Sequence, residues 1–220
     1  MAERKRPRRT RERILETSLA LFNQFGEPNI TTAHIADEMN ISPGNLYYHF
    51  RNKDEIIGEL YAALEAKLAP LFTPPGQRAA DVEDLWFMLH LLFEQMWAFR
   101  FFYRDLIELT SRNRRIASRF AQLTRKGEST MIELCRSMLA AGTMRASERE
   151  IQAIARNVVI VATYWMSFQR TTNPQLAAAP PDDQGGMMLD RAAYQVLALI
   201  APFTFGEARA LIERLGERYL

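Results

Sequence analysis

The chain has 220 residues, 48% hydrophobic and 25% charged, with a net charge of +2 and a single cysteine. That is the composition of a soluble globular protein of one or two domains, long enough to bury a substantial core. It excludes an internal disulfide framework, and no apolar run approaches the roughly 20 residues that span a bilayer.

No signal-type apolar segment follows the basic N-terminus, so the expectation is a cytoplasmic protein with no membrane role. The charge is unevenly placed. Residues 1–13 carry seven basic side chains against two acidic ones, and the rest of the chain carries 21 against 24. A basic arm on a mildly acidic body points to a polyanion met at one end; the alternative is a solvated tail.

Nearly every segment has helical period and none shows the strict alternation of a half-buried strand, so the predicted class is all-α. The first helix is expected over about 10–25, with Ile14, Leu15, Ser18, Leu21, Phe22 and Phe25 on one face and Gly26 at its exit. Thr31-Thr32 opens a second helix, with Thr32 as its cap before Ile35, Ala36 and Met39. Ser42 caps a short third helix over about 43–49, and Pro43 suits its first position, where the missing amide hydrogen costs nothing. Asn52 followed by Glu55 launches a fourth helix that reaches about Leu68.

Pro70, Pro74, Pro75 and Gly76 then break the chain. Amphipathic helices follow at about 79–99, 101–111, 114–141, 147–171, 188–203 and 206–219, and Ser147 with Glu150 forms a capping box at the start of the fourth. The stretch 172–187, rich in proline, glycine and aspartate, suits a mobile loop. Cys135 sits in an apolar run and reads as a buried core thiol.

Two short helices joined by a tight turn and braced by a first helix make a helix-turn-helix, whose second short helix enters the DNA major groove. On that helix Leu46 and Phe50, four apart, are expected to face the core. Asn45, Tyr48 and His49 fall on another face with Tyr47 at its edge, suited to phosphate and thymine-methyl contacts, and Gly44 lets the backbone approach closely. For Tyr47 the alternative is a core aromatic, and for His49 a neutral packing residue. Lys53 stands at a helix N-terminus, where a cation is locally unfavourable, which argues for an external anion.

Residues 9–57 resemble the DNA-binding domain of the TetR family of regulators. The likeness rests on Ile14-Leu15, Leu21-Phe22, Phe25-Gly26, Thr31-Thr32, Ile35-Ala36, Ile41 through Phe50, and Lys53. It implies an all-α protein with a three-helix DNA-binding domain over 1–53 and a helical effector-binding and dimerisation domain over 54–220. It implies that Thr32 contacts phosphate, that Ser42, Pro43 and Gly44 mark the groove entry, that Asn45, Tyr47, Tyr48 and His49 make the recognition contacts, and that Lys53 clamps a phosphate. The implied partners are a double-stranded DNA operator, a small-molecule effector and a second copy of the chain, with repression as the family-level expectation.

Residues 82–103 are dense in aromatics and methionine. Trp86, His90, Phe93, Trp97 and Phe101, with Tyr164 and Phe168 from the helix opened by Ser147, are the candidate effector-binding residues; core packing is the alternative for each. His90, Gln95 and Asn157 are candidate polar anchors. Arg112, Arg114, Arg115 and Arg119 form a second basic cluster, either solvated or facing an anionic headgroup. The helices at 147–171 and 188–203 resemble the family's dimer interface, with Tyr194, Val196, Leu197, Ile200 and Ala201 on the apolar face of the latter.

The histidines His34, His49 and His90 are scattered, so no metal or other cofactor is expected. No phosphate loop, nucleophile elbow or paired metal-ligand spacing points to an enzyme. An effector-independent, architectural DNA-binding protein of the same fold remains the rival reading.

Overall fold

The computed structural model describes residues 7–73, 81–173 and 181–217. The basic residues before Pro7, the Pro74–Pro75–Gly76 break, residues 174–180 of the expected loop and the last turn of the final predicted helix lie outside them. Among the described residues there are eleven α-helices and no strand, in agreement with an all-α class. They are α1 (Pro7–Phe25), α2 (Thr32–Glu38), α3 (Pro43–His49), α4 (Lys53–Leu68), α5 (Val82–Ala98) and α6 (Arg100–Arg104), followed by α7 (Leu106–Arg112), α8 (Arg114–Ala140), α9 (Glu148–Thr172), α10 (Pro181–Ile200) and α11 (Gly206–Gly216). Short 3-10 turns occupy Glu27–Asn29, Ala69–Phe72 and Ala201–Phe203.

Two expectations about elements change. The helix predicted over 101–111 is two, broken at Asp105, whose carboxylate turns back to accept a hydrogen bond from the Glu27 backbone N–H at 3.1 Å. The stretch expected to be a loop to residue 187 is helical from Pro181, a residue that fits a first helical position because it has no amide hydrogen to satisfy.

Packing divides the chain into two compact units. One takes the chain up to Ala66 with Phe99–Ala117; the other takes Lys67–Ala98 and the chain from Ser118 onward. The expected boundary between 53 and 54 is therefore not where packing divides the chain, because Tyr61 on α4 meets the Phe102 ring edge-on at 5.3 Å inside the first unit.

Within that unit α1 buries Ile14 and Phe22 completely, and the Ser18 hydroxyl donates to the Ile14 carbonyl at 2.6 Å. The apolar face of α1 is narrower than its periodicity suggests, since Phe25 is 51% exposed. Phe101 is fully buried against Phe22, their ring centroids 5.2 Å apart. Gly26 leaves α1 at φ 93°, and Arg104 closes over this corner to donate to the Phe22 carbonyl at 2.6 Å. A Cβ at Gly26 would meet Asn29 Nδ2 at 3.2 Å and Arg104 Nη2 at 3.4 Å, ends of side chains that can yield, so it is the positive φ that calls for glycine.

The next residue, Glu27, is fully buried. Its Oε1 lies 2.7 Å from Lys53 Nζ and 2.9 Å from Arg112 Nη2. Lys53 also donates to the carbonyls of Glu27 (3.0 Å) and Ile30 (2.9 Å). Burial works against the Arg112 charge, but the carboxylates of Glu27, Asp54 and Glu108 outweigh it and hold its pKa above the ordinary guanidinium value. Arg112 is thus neither simply solvated nor waiting for an effector.

In the second unit α10 packs on α5 and α9. Val196, Leu197, Ile200 and Ala201 are buried there. The apolar face of α10 expected at a dimer interface belongs to the protomer's own core, and only Tyr194 of that set is half-exposed. The capping box at α9 is present: Glu150 N–H donates to Ser147 Oγ at 3.3 Å, and Ser147 N–H to Glu150 Oε2 at 2.7 Å. Cys135 has no exposed surface, and burial pushes its thiol pKa up to about 11, which keeps it protonated and unreactive near neutrality.

The Glu27 cluster sets a stability test. Glu27→Gln removes the anion but keeps the volume, leaving two cations on a neutral amide. Breaking a fully buried pair costs about 3–5 kcal/mol, and because Lys53 and Arg112 can partly rehydrate, the lower end, about 3 kcal/mol, is expected here. Urea denaturation should show that loss as a lower midpoint with an unchanged slope. An unmoved midpoint would mean that the cluster contributes nothing to stability.

Candidate nucleic-acid interface and small-molecule cleft

The turn between α2 and α3 is made by Asn40, whose φ of 52° lies in the left-handed region that asparagine tolerates better than most residues. Ile41 N–H then reaches back to the Ala36 carbonyl at 3.0 Å and closes the end of α2. Ser42 caps α3 as expected, accepting from Asn45 N–H at 3.2 Å with Pro43 in the first turn. Leu46 and Phe50 are completely buried, which fixes the rotation of α3. The opposite face is therefore free: Ser42, Pro43, Gly44, Asn45, Tyr47 and Tyr48 are exposed and His49 is half-buried.

Tyr48 is 78% exposed and Tyr47 51%. The core alternative for Tyr47 does not hold. Aromatic rings are not left this open without cost, and two of them side by side on a short helix, each with a hydroxyl, suit a partner with both phosphates and base edges. The His49 ring sits edge-on to Tyr48, their centroids 5.1 Å apart, which braces the more exposed side chain.

The cap of α2 is Thr31, not Thr32. Thr31 Oγ1 accepts from His34 N–H at 3.2 Å, and His34 Nδ1 accepts from Thr31 N–H at 3.3 Å, a capping box with histidine in the usual glutamate position. The signal was a threonine followed three residues later by a side-chain acceptor. Thr32, freed from capping, places its hydroxyl 3.0 Å from the Tyr47 hydroxyl. This pair joins the start of α2 to the middle of α3, and periodicity could not have revealed it.

Lys53 is different. Its place at a helix N-terminus pointed to an external anion; the anion the structure supplies is Glu27, inside the unit. The geometry gives Lys53 a structural role and removes that reason for a phosphate contact. Arg11, counted in the basic arm, lies in α1, which begins three residues earlier than expected; it pairs with Glu59 at 3.0 Å and lies over the Phe50 ring.

The seven candidate effector-binding residues are divided between the two units. Phe101 belongs to the core of the first unit and Phe93 is buried in the second. Trp86 stacks on His90 at 5.6 Å, and His90 Nε2 lies 3.5 Å from Glu94 on the same helix; Trp97 is half-buried. Tyr164 and Phe168 face outward, 46% and 55% exposed, and with Ile160 at 50% they form an apolar stripe at four-residue spacing along α9. The proposed anchor Asn157 is exposed as well.

A cleft of about 240 Å³ occurs instead on another face of α5. That helix contributes Asp84, Phe87, Met88 and Leu91, and α8 contributes Thr130, Glu133, Leu134 and Ser137. Both sets have the i, i+3, i+4, i+7 spacing of one helical face. Pro70, Leu71 and Thr73, at the 3-10 turn after α4, complete the lining. The Thr130 hydroxyl is fixed by donating to the Phe72 carbonyl at 3.1 Å. Among the described residues no group of three histidine, cysteine or acidic side chains could hold a metal, and no helix is long and apolar enough to cross a membrane.

Comparison with known proteins agrees with this architecture. The profile of bacterial regulatory proteins of the tetR family matches residues 14–60, and that of a bacterial transcriptional repressor matches residues 63–212. A probable acrEF/envCD operon repressor of Escherichia coli K12 is 38% identical over 53 residues, 24% of this chain and 24% of that protein, so the match spans about a quarter of that relative. The crystal structure of a TetR-family transcriptional regulator from Marinobacter aquaeolei VT8 superposes with a TM-score of 0.85 at 36% identity, covering 96% of this chain and 98% of that one. A SmeT–triclosan complex shares the fold at a TM-score of 0.56 and 20% identity, over 91% of this chain and 94% of its own. With a family profile across most of its length and a solved homologue matched almost end to end, the chain belongs to the TetR family of bacterial transcriptional regulators.

Proposed function

We propose that this protein is a cytoplasmic, dimeric repressor that binds a palindromic operator through α3 and leaves it when a small molecule binds the second unit. The observation that carries the reading is the exposed face of α3: two tyrosines and an asparagine held outward by the complete burial of Leu46 and Phe50. Thr32 and Tyr47, joined at 3.0 Å, form a hydroxyl pair suited to one phosphate, while Asn45 and Tyr48 are free to reach base edges. Membership in a family of regulators accords with the absence of enzyme motifs in the sequence.

The stripe of Ile160, Tyr164 and Phe168 supports dimerisation. Three large apolar side chains half-exposed along one face of α9 suit a helix-on-helix contact with a second copy. A bound molecule is supported by the cleft between α5 and α8 and by a fold shared with a protein solved with triclosan. The rival, effector-independent reading gains from the dispersal of the seven aromatic and histidine candidates. Release of operator DNA by a small molecule separates the two.

Binding to a site with half-site centres about one helical turn, roughly 34 Å, apart should weaken steeply as salt rises. Tyr48→Ala and Asn45→Ala should re-rank operator variants, each costing about 1–3 kcal/mol on the preferred sequence. Thr32→Val and Tyr47→Phe should weaken all sequences alike by about 1 kcal/mol. Equal losses over every variant for all four substitutions would remove the distinction between reading and positioning.

The dimer has its own test. Tyr164→Glu with Phe168→Glu should convert a dimer to a monomer in sedimentation, without lowering helicity, because neither side chain is in the core. A wild-type monomer, or a dimer untouched by both charges, would place the interface elsewhere.

A further inference from the structure

We propose that Arg51 is the cation that holds DNA phosphate beside α3, in place of Lys53, which the fold turns inward. This rests on the regulator reading above and adds to it a residue that grips the DNA backbone. Between Arg13 and Arg51 the sequence has no lysine or arginine, and it has four acids, Glu16, Glu27, Asp37 and Glu38. All of α2, the Asn40 corner and α3 lie in that stretch, and Asp37 and Glu38 are exposed on α2. A duplex carries one negative charge about every 1.7 Å along its axis, and hydroxyls and amides meet phosphate without neutralising it. A helix-turn-helix with exposed acids and no lysine or arginine of its own must therefore draw its counter-charge from the residues that flank it.

Several cations of the first unit are engaged within it. Glu27 holds Lys53 at 2.7 Å and Arg112 at 2.9 Å, Arg104 pairs with Asp105 at 3.2 Å, and Arg11 pairs with Glu59 at 3.0 Å. Arg51 differs. It is exposed, and its guanidinium is in no ion pair among the described residues. Its direction follows from its neighbours. Phe50 is extended, at φ −141° and ψ 121°, and completely buried. Successive side chains of an extended chain point to opposite sides, so the burial of Phe50 turns Arg51 outward. On the other side the backbone is fixed by a reciprocal cap: Arg51 N–H donates to Glu55 Oε2 at 2.8 Å, and Glu55 N–H to Asn52 Oδ1 at 2.9 Å. Arg51 is thus the second residue beyond α3, on a turn with little freedom. That place suits the sugar–phosphate backbone at the rim of the groove α3 would enter, and a planar guanidinium suits phosphate oxygens.

The salt dependence of DNA binding tests this, because its slope counts the phosphate charges neutralised. Fluorescence anisotropy of the full-length protein is followed across a salt series on two duplexes of equal length, one from the DNA upstream of its own gene and one of random sequence. Arg51→Gln should lower the slope of log K against log salt by about 0.9 per half-site, and weaken both duplexes alike by roughly fivefold per half-site at low salt. Arg51→Lys, which keeps the charge, should restore the slope. Lys53→Met should leave the slope at its wild-type value, even where it lowers affinity by breaking the Glu27 cluster. Circular dichroism checks the helicity of each variant, and the two substitutions at the exposed Arg51 carry the test if Lys53→Met fails to fold.

An unchanged slope for Arg51→Gln, a loss confined to the upstream duplex, or a slope lowered as much by Lys53→Met overturns the proposal. The wild-type protein judges the reading on which it rests. A preference for the upstream duplex over the random one supports the regulator; without that preference the regulator reading falls, while the slopes still decide for or against Arg51. If the wild type binds neither duplex, both fall.

Discussion

Glu27 has no access to solvent, and a carboxylate so placed must find its counter-charges within the fold. It draws on three places in the chain. Lys53 comes from the first residue of α4, Arg112 from the last of α7, and Asp105, between α6 and α7, accepts the Glu27 backbone N–H. Lys53 also ties down the Glu27 and Ile30 carbonyls, which leaves the 3-10 turn between α1 and α2 little freedom. The start of α2 follows directly from that turn, and α3 follows from α2 through the Asn40 corner. A charged cluster of this kind need not add net stability relative to an apolar replacement, but it penalises every arrangement that separates its members. Its effect is on registry: it fixes where the exposed face of α3 begins.

That face was legible in the sequence because the signals for it are local. Ser42 and Pro43 mark a helix start by backbone chemistry alone, and Leu46 and Phe50, four apart, are enough to orient a seven-residue helix. The same holds for Ser147 and Glu150 at α9. Thr32 shows the limit. Two adjacent threonines both fit a cap, and only the partner three residues on, His34, decides for Thr31. A cation at a helix N-terminus, as Lys53 is, favours a nearby anion. That anion is Glu27, well upstream, and nothing in the sequence around it signals complete burial.

The cleft between α5 and α8 was not legible, for a related reason. Helical period shows that a helix has an apolar face, not what covers it. In α5 almost every face is apolar, so Leu85, Leu89 and Met96 could pack into a core while Phe87, Met88 and Leu91 line a cleft, all from one continuous stretch. The aromatics themselves divide three ways: Phe101 in the core of one unit, Phe93 in that of the other, Tyr164 and Phe168 outside both cores.

On the reading proposed above, a molecule in the cleft would have to change the energy of the DNA-binding arrangement, and a ligand can do so only by favouring one conformation over another. The chain offers a covalent route. The turn Ala69–Phe72, which lends Pro70 and Leu71 to the cleft, follows the last residue of α4, and the first residue of α4 is Lys53. A molecule that displaced this turn would act on one end of an unbroken sixteen-residue helix whose other end is held by Glu27. The two ends are held by different physics: weak, adaptable apolar contacts at the cleft, and directional charge pairs at Lys53. A small shift is inexpensive at the first and costly at the second, because ion pairs lose energy steeply once geometry and burial are compromised. The same pairing that fixes the exposed face of α3 in register would thus make it sensitive to a displacement of α4, and the proposed switch would use both properties in one element.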